Sequence, residues 1–441
     1  METPHISRSE SVYINQIQKH AHPLTTTDDL QPLLNRVGDA RIVMLGEASH
    51  GTHEYYTWRS RISKLLIEEH GFNFIAVEGD WPDCYHLNRF IKGYENSSSD
   101  ASDVLKEFGR WPSWMWANWE IAALSEWLRK HNKTKAPEKR VGFYGLDVYS
   151  LWESMDSIMN YLEKVDTAAL KLARDAFRCF EPYRKDEGQS YARASRFVPN
   201  QCREEVVSLL GELRNKLPQY NTDHESSFSV EQNAHVAVNA ERYYRAMLEG
   251  GAATWNLRDR HMADTLERLL NLHGKDAKAI VWAHNTHIGD ARATDMAAEG
   301  MFNIGELARK EYPEKDVVLV GFGSYKGAVI AGASWGDPLQ IMPVPEARKG
   351  SWEYLLHNAG SGNKLLIMDD FKKGLLGQAE VGHRAIGVVY RPQFEQYGNY
   401  VPSVVAQRYD AFIYLDETRA LHPLQVHHEN KGMPDTYPFG T

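Results

Sequence analysis

The chain has 441 residues, 42% hydrophobic and 25% charged, with a formal net charge of −9. That composition is ordinary for a globular protein. The acidic balance, with no basic stripe, argues against a nucleic-acid partner, and no uninterrupted apolar run of about 18 residues is present to span a membrane.

In chain order, residues 1–40 read as a mobile start and a short helix, with Thr27 or Asp28 capping ahead of Leu30, Leu33 and Leu34. A strand over 41–46 precedes a helix over 54–70, which has an apolar stripe of Tyr55, Trp58, Ile62, Leu65 and Leu66 and is closed by Gly71. A second strand, 74–77, completes a βαβ unit with short loops, hence a parallel one. Helices fill 82–132, and a third strand follows at 141–144. From 151 to 258 no strand pattern occurs. The spacings Leu209-Leu210…Leu213…Leu217 and Val236…Ala240…Tyr243-Tyr244…Met247 are helical. A helix over 258–272 leads into a fourth strand, 279–282, and strands at 317–320 and 329–331 come next. The last third is mixed, with strand-like runs at 365–368, 385–390 and 411–415 separated by Gly and Pro, and a loose polar tail from His422. These elements predict an α/β fold: a mainly parallel central sheet flanked by helices, a large all-helical insertion and a mixed C-terminal α/β part. The divisions fall at 1–150 (first part of the core), 151–257 (helical insertion forming a cleft wall) and 258–441 (remainder of the core).

Cys84, Cys179 and Cys202 show no metal-ligand spacing and are odd in number, which suits a reducing, cytoplasmic setting. The polar N-terminus reads as neither signal peptide nor anchor.

Four apolar runs end in an acid or a histidine: Leu45-Gly46-Glu47…His50, Val77-Glu78, Leu146-Asp147, and Trp282-Ala283-His284…His287. Short apolar runs of this kind are buried parallel strands, and ligands bind outside the carboxyl ends of such strands. The four therefore point to one acid/base site at one edge of a sheet. Glu47 beside His50 would fix the imidazole tautomer and stabilise its protonated form, as a general base for water requires. Gly46 and Gly51 would permit tight backbone conformations in that loop. Arg59 falls between Tyr55 and Ile62 on the inward side of its helix. It is either a buried ion pair to Glu47 or Glu78, or a cation stabilising developing oxyanion charge.

Asp80 and Asp83 read as cap or dipole residues of the following helix. Asp147 either belongs to the site or caps the helix near Tyr149. His284 and His287 could bind zinc only together with His50 and a carboxylate, because no His-Glu-x-x-His or cysteine set accompanies them. The preferred reading gives one of them the substrate carbonyl or the leaving alcohol, and gives Asn285 a cap. No P-loop or complete dinucleotide fingerprint is present, so no cofactor is expected; a serine nucleophile is not favoured, and Ser49 reads as packing. Trp116 and Trp119, with Ala123 and Trp127 at helical spacing, either pack against the sheet or wall an apolar ligand. Arg258-Asp259, near His261, forms a local ion pair or reaches the cleft. His422, His427 and His428 read as solvated.

Gly46-Glu47-Ala48-Ser49-His50, Arg59, Glu78 and Ala283-His284-Asn285-Thr286-His287, in this order and at these separations, resemble the erythromycin esterase family. Gly145-Leu146-Asp147, Arg258-Asp259…Met262-Ala263 and Tyr390-Arg391-Pro392…Tyr397…Val401-Pro402 are similar to further family motifs. The resemblance implies a hydrolase that opens a macrolide lactone without a required metal. His50 would be the base, Glu47 its partner, and Arg59, Glu78, His284 and His287 would complete the site. Asp147, Arg258, Trp116 and Trp119 are the expected substrate contacts. Dedicated macrolide-resistance members continue the first motif differently from Ala48-Ser49-His50-Gly51-Thr52-His53. The chain thus looks more like the broad branch that includes members labelled succinoglycan-biosynthesis proteins. The expected partner is a small-molecule or macrolide-like ester, with neither nucleic acid nor membrane. Competing readings are a metal-dependent or polysaccharide-modifying hydrolase using the same cleft, and a non-catalytic binder of a macrocyclic ligand.

Overall fold

Along the apolar runs, successive side chains divide between two cores, as the two-residue period of a strand requires. Val43, Leu45, Ile75, Val77, Ile280 and Trp282 pack on one face of a sheet. Ile42, Met44, Phe74, Ala76, Ala279 and Val281 pack on the other. Both faces are covered, so these strands read as continuously hydrophobic rather than alternating.

The computed structural model describes residues 8–425 apart from 95–97, 99, 179, 187–190, 192–200, 217–222 and 248–249. Cys179, His427 and His428 lie outside the described residues. The strands are β1 (His22–Pro23), β2 (Ile42–Leu45), β3 (Phe74–Asp80), β4 (Gly142–Asp147), β5 (Ala279–Trp282), β6 (Val317–Ala331), β7 (Gln340–Val344), β8 (Lys364–Ile367), β9 (Val381–Arg384), β10 (Tyr400–Ser403) and β11 (Ala411–Thr418). The main sheet runs β1-β8-β11-β6-β2-β5-β3-β4, with β7 on the far end of β6. Pairings from β11 through β4 are parallel; β8, β1 and β7 join antiparallel. The fold is α/β with a mainly parallel sheet, as expected.

β5 inserts between β2 and β3, so the first and second parallel strands are not neighbours. Leu45, Trp282, Val77 and Gly145 lie in register across the sheet. The residues just beyond them therefore emerge along one edge, where the crevices of open α/β sheets bind ligands.

Two expectations need correction. The runs 317–320 and 329–331 belong to one strand, because β11 pairs along its length and β7 pairs with its end. The glycine-rich middle had masked that continuity. Residues 385–390 form isolated bridges at Ile386 and Val389 rather than a strand; the strand lies just before them, as β9 paired with β10.

Helices Leu151–Val165, Thr167–Phe177, Gln201–Lys216 and His224–Ala246 occupy the segment after β4. Residues of this segment share a core that includes Ile158, Leu162, Ala173, Leu213 and Tyr244. The Ala252–His273 helix then returns the chain to β5. Among the described residues, no helix is long and apolar enough to cross a membrane.

Candidate active site

The loop after β2 is pressed against its neighbours, and its glycines are there for space. A Cβ at Gly46 would lie 2.1 Å from Asn285 Oδ1, and one at Gly51 would lie 2.0 Å from the Ile330 carbonyl oxygen. Neither glycine has a positive φ, so close approach explains them, not the conformational freedom expected from sequence. The loop carries Glu47 and His50 into the sheet edge. Glu47 Oε1 lies 2.9 Å from His50 Nδ1, and its Oε2 accepts from Arg59 Nη2 at 2.6 Å. Arg59 projects from the His53–Glu69 helix, is fully buried, and lies over the rings of Tyr56 and Trp282 at 4.4 and 4.7 Å. Of the two roles open to it, the geometry gives Arg59 the ion pair with Glu47. It is not among the residues lining the cleft.

Glu78, at the end of β3, binds three groups. Its Oε2 accepts the His284 backbone N–H at 2.8 Å, its Oε1 accepts from Arg258 Nη2 at 2.7 Å, and His287 Nε2 lies 3.4 Å from Oε1. Burial alone would raise its pKa, but His287 and Arg258 hold it far below the usual carboxylate range. Arg258, from the Ala252–His273 helix, also grips Asp147 through Nε at 3.0 Å and Nη2 at 2.7 Å. Against burial, Arg258 keeps the Asp147 carboxyl low. Asp147 is thus no helix cap; besides Arg258 its Oδ1 accepts the adjacent Val148 N–H, and the helix begins beyond Ser150.

His287 is fully buried and stacked on Trp255, ring centroids 4.5 Å apart. Its Nδ1 faces both oxygens of Asp259 at 3.0 Å. Its Nε2 lies 3.0 Å from Arg258 Nη1, so it accepts from the arginine when neutral and faces Glu78 when protonated. Burial opposes the charged ring, yet Asp259 and Glu78 together raise its pKa. His284 differs. The Thr286 N–H donates to its Nδ1 at 3.3 Å, which assigns the proton to Nε2. Nε2 is buried without a protein partner, and the ring lies 5.0 Å from that of His50. Burial first, then the neighbouring His50, push His284 well below the ordinary histidine value. His284 itself caps the Asn285–Ile288 turn. Asn285 instead donates to the Phe322 carbonyl at 2.6 Å.

An open cleft lies over this network, reached by His50, Glu78, Asp147 and Arg258. Its apolar wall includes Phe108, Met115, Trp116 and Val388. Trp116 lines the cleft and donates to the Glu78 carbonyl at 3.0 Å. Trp119 does not reach it: it is 59% exposed and borders another groove. The helix begins at Trp119, with Asn118 as its cap, so helical spacing does not extend back to Trp116. Asp80, Asp83, Arg110 and Tyr149 also line the cleft. Asp80 pairs with Arg110 through two bonds of 2.6 and 2.8 Å. Its side chain makes no cap bond. Burial, then Asp80, push the Asp83 carboxyl well up. Arg110 and Arg258 both lie over the Tyr149 ring, at 5.0 and 4.8 Å. No local pattern in the sequence flags Arg110 or Tyr149. Asp259 carries a signal only through its adjacency to Arg258.

Nδ1 of His50, His284 and His287 each faces a different partner: Glu47, Thr286 and Asp259. Among the described residues the one triple with converging donor atoms is His53, Glu120 and His422, outside the cleft.

A family model described as erythromycin esterase matches residues 67–418. The chain belongs to the erythromycin esterase family. The matched span contains Glu78, Asp147, Arg258, His284 and His287 and begins after Glu47, His50 and Arg59. Erythromycin esterase type II of Escherichia coli is 24% identical over 384 residues, covering 80% of this chain and 87% of its own. The crystal structure of a succinoglycan biosynthesis protein superposes with a TM-score of 0.75 at 21% identity, covering 94% of this chain and 99% of that one. An erythromycin esterase mutant in an open conformation gives a TM-score of 0.66 at 16% identity, covering 92% and 97%. The structural likenesses concern the fold. Erythromycin esterase family membership makes the chain a hydrolase.

Proposed function

We propose that this hydrolase opens a carboxylic ester or macrolide-type lactone with water activated by His50. One observation carries the reading: His50 lines the cleft while its Nδ1 is committed to Glu47, which leaves Nε2 to take a proton from water. The hydroxide so formed attacks the ester carbonyl carbon. The tetrahedral oxyanion forms beside the Arg258 guanidinium, whose field favours it. When the C–O bond breaks, the His50 imidazolium returns its proton to the leaving alkoxide, giving the alcohol and a carboxylic acid, which then ionises to solvent. The apolar wall at Phe108, Met115, Trp116 and Val388 suits a bulky, weakly polar substrate. The activity named for the family and for the E. coli relative makes macrolides the first substrates to test.

The test is mass spectrometry of a macrolide panel, with aryl and alkyl esters alongside, incubated with the protein and with His50→Ala. We expect a mass gain of one water that falls by roughly 10²–10⁴-fold in the variant, the usual worth of a general base. Undiminished turnover in a folded His50→Ala protein would remove His50 from the role.

A further inference from the structure

His53, Glu120 and His422 converge on a point outside the cleft. His53 Nδ1 lies 2.5 Å from Glu120 Oε1, and His422 Nδ1 lies 2.6 Å from the same oxygen. The two rings stand nearly perpendicular, centroids 5.0 Å apart. Both imidazoles thus crowd one oxygen, while the other, Oε2, is buried with no hydrogen-bond partner. Buried carboxylate oxygens normally find partners, and leaving one unmet is costly. Among the described residues no lysine or arginine pairs with Glu120. Lys64 and Arg61 border the same groove but rest over Trp127 and Trp58.

A cation seated between the three donors resolves this arrangement. Zinc binds imidazole nitrogen and carboxylate oxygen at ~2.0–2.2 Å in tetrahedral geometry, which sets neighbouring donors ~3.3 Å apart. The donor atoms already lie within 4.8 Å of one another. Opening the two short contacts requires less than ~1 Å of side-chain movement at that geometry. The His422 side chain is 57% exposed and free to make that adjustment. The backbone beneath is fixed: His53 N–H donates to the Arg419 carbonyl and Trp119 N–H to the His422 carbonyl, each at 2.9 Å. The donor pair of imidazoles with one carboxylate suits zinc and its imidazole-binding neighbours better than magnesium or calcium.

We propose that His53, Glu120 and His422 form a zinc-class site, separate from the hydrolytic cleft, that fastens residues 419–424 to the start of the helix carrying Arg59. The full chain, stripped with chelator, is titrated with zinc against a chromophoric chelator and with cobalt by visible absorption, and its melting temperature is followed in parallel. We expect one zinc per chain, a low-symmetry cobalt band and a raised melting temperature. All three should be lost in His422→Ala and in Glu120→Gln and kept in His50→Ala. His422→Ala changes a largely exposed ring, so folding is not at stake. Failure of the folded chain to take up zinc in excess overturns the proposal. So does zinc binding that survives Glu120→Gln, or binding that disappears in His50→Ala.

Discussion

Glu47 serves two partners with its two oxygens, and that double duty sets how its loss reads out. Oε1 orients His50, while Oε2 neutralises a fully buried Arg59. Glu47→Leu removes both functions. It leaves a buried guanidinium whose Nε and Nη1 already lack hydrogen-bond partners, so stability should fall by roughly 3–5 kcal/mol. Hydrolysis should fall by about 10²-fold or more, because His50 loses the group that fixes its tautomer. The double variant Glu47→Leu with Arg59→Met separates the two effects. Replacing both members of a buried pair by apolar groups is often close to neutral, so denaturation midpoints should recover while activity does not. Recovery of activity along with stability would show that Glu47 acts on His50 only through the fold. His287 stands apart from this pair. With Asp259 and Trp255 behind it and Glu78 and Arg258 ahead, it holds the carboxylate–arginine layer and has no place in the cleft wall.

The element that delivers Glu47 and His50 is a loop clamped from several sides. Gly51 accepts the Ile330 and Leu421 N–H groups at 3.0 and 2.9 Å, and Ile386 N–H donates to the Ala48 carbonyl at 2.8 Å. Gly51→Ala would drive a methyl into the backbone of β6, which has no side chain to yield. Destabilisation of about 1–3 kcal/mol is expected from such overpacking, with a fall in turnover because the displaced segment carries His50. Gly71→Ala is the contrasting case. Its φ is +71° with open space around the missing Cβ, so left-handed strain of about 1–2 kcal/mol is expected, with turnover unchanged. Thermal melts and ester turnover on the two variants check this; full activity in Gly51→Ala would mean that the loop tolerates displacement. The same elements show what sequence can carry. The parallel strands were legible because covering both faces of a sheet leaves long apolar runs, and the acids and histidines at their ends followed directly. Arg110 was not legible, because its partner Asp80 is 30 positions away and neither lies on a shared periodicity. The His53–Glu120–His422 cluster joins residues 67 and 302 apart, beyond any local motif. Trp119 was misplaced because a helical face was extended across the Asn118 cap.

Across the whole molecule, the helices after β4 must be held against the sheet that they wall, and Glu225 is the main polar fastening. It opens the His224–Ala246 helix, where a carboxylate also suits the helix dipole. Its Oε1 accepts from Lys92 Nζ at 2.8 Å, from Asn88 Nδ2 at 2.9 Å and from the Tyr144 hydroxyl; Oε2 accepts from the Tyr94 hydroxyl at 2.7 Å. Burial pushes the carboxyl up, but Lys92 foremost and the two tyrosines bring it down to about 2. The unfolded value is about 4.3. A folded pKa below the unfolded one means that the stabilisation is complete above about pH 4.3 and is lost as pH falls toward the folded value. Glu225→Gln should therefore lower stability at neutral pH by on the order of 3 kcal/mol, as expected for one member of a buried pair. Below about pH 4 the difference from the unaltered protein should shrink, because the carboxyl it replaces is then being protonated in the unfolded chain. Urea denaturation of both proteins from pH 7 down to the acid limit measures that difference directly. A gap that stays constant across the acid range would assign the effect to packing of the glutamate stem, and equal stability at pH 7 would mean that the helices are held by their apolar core alone.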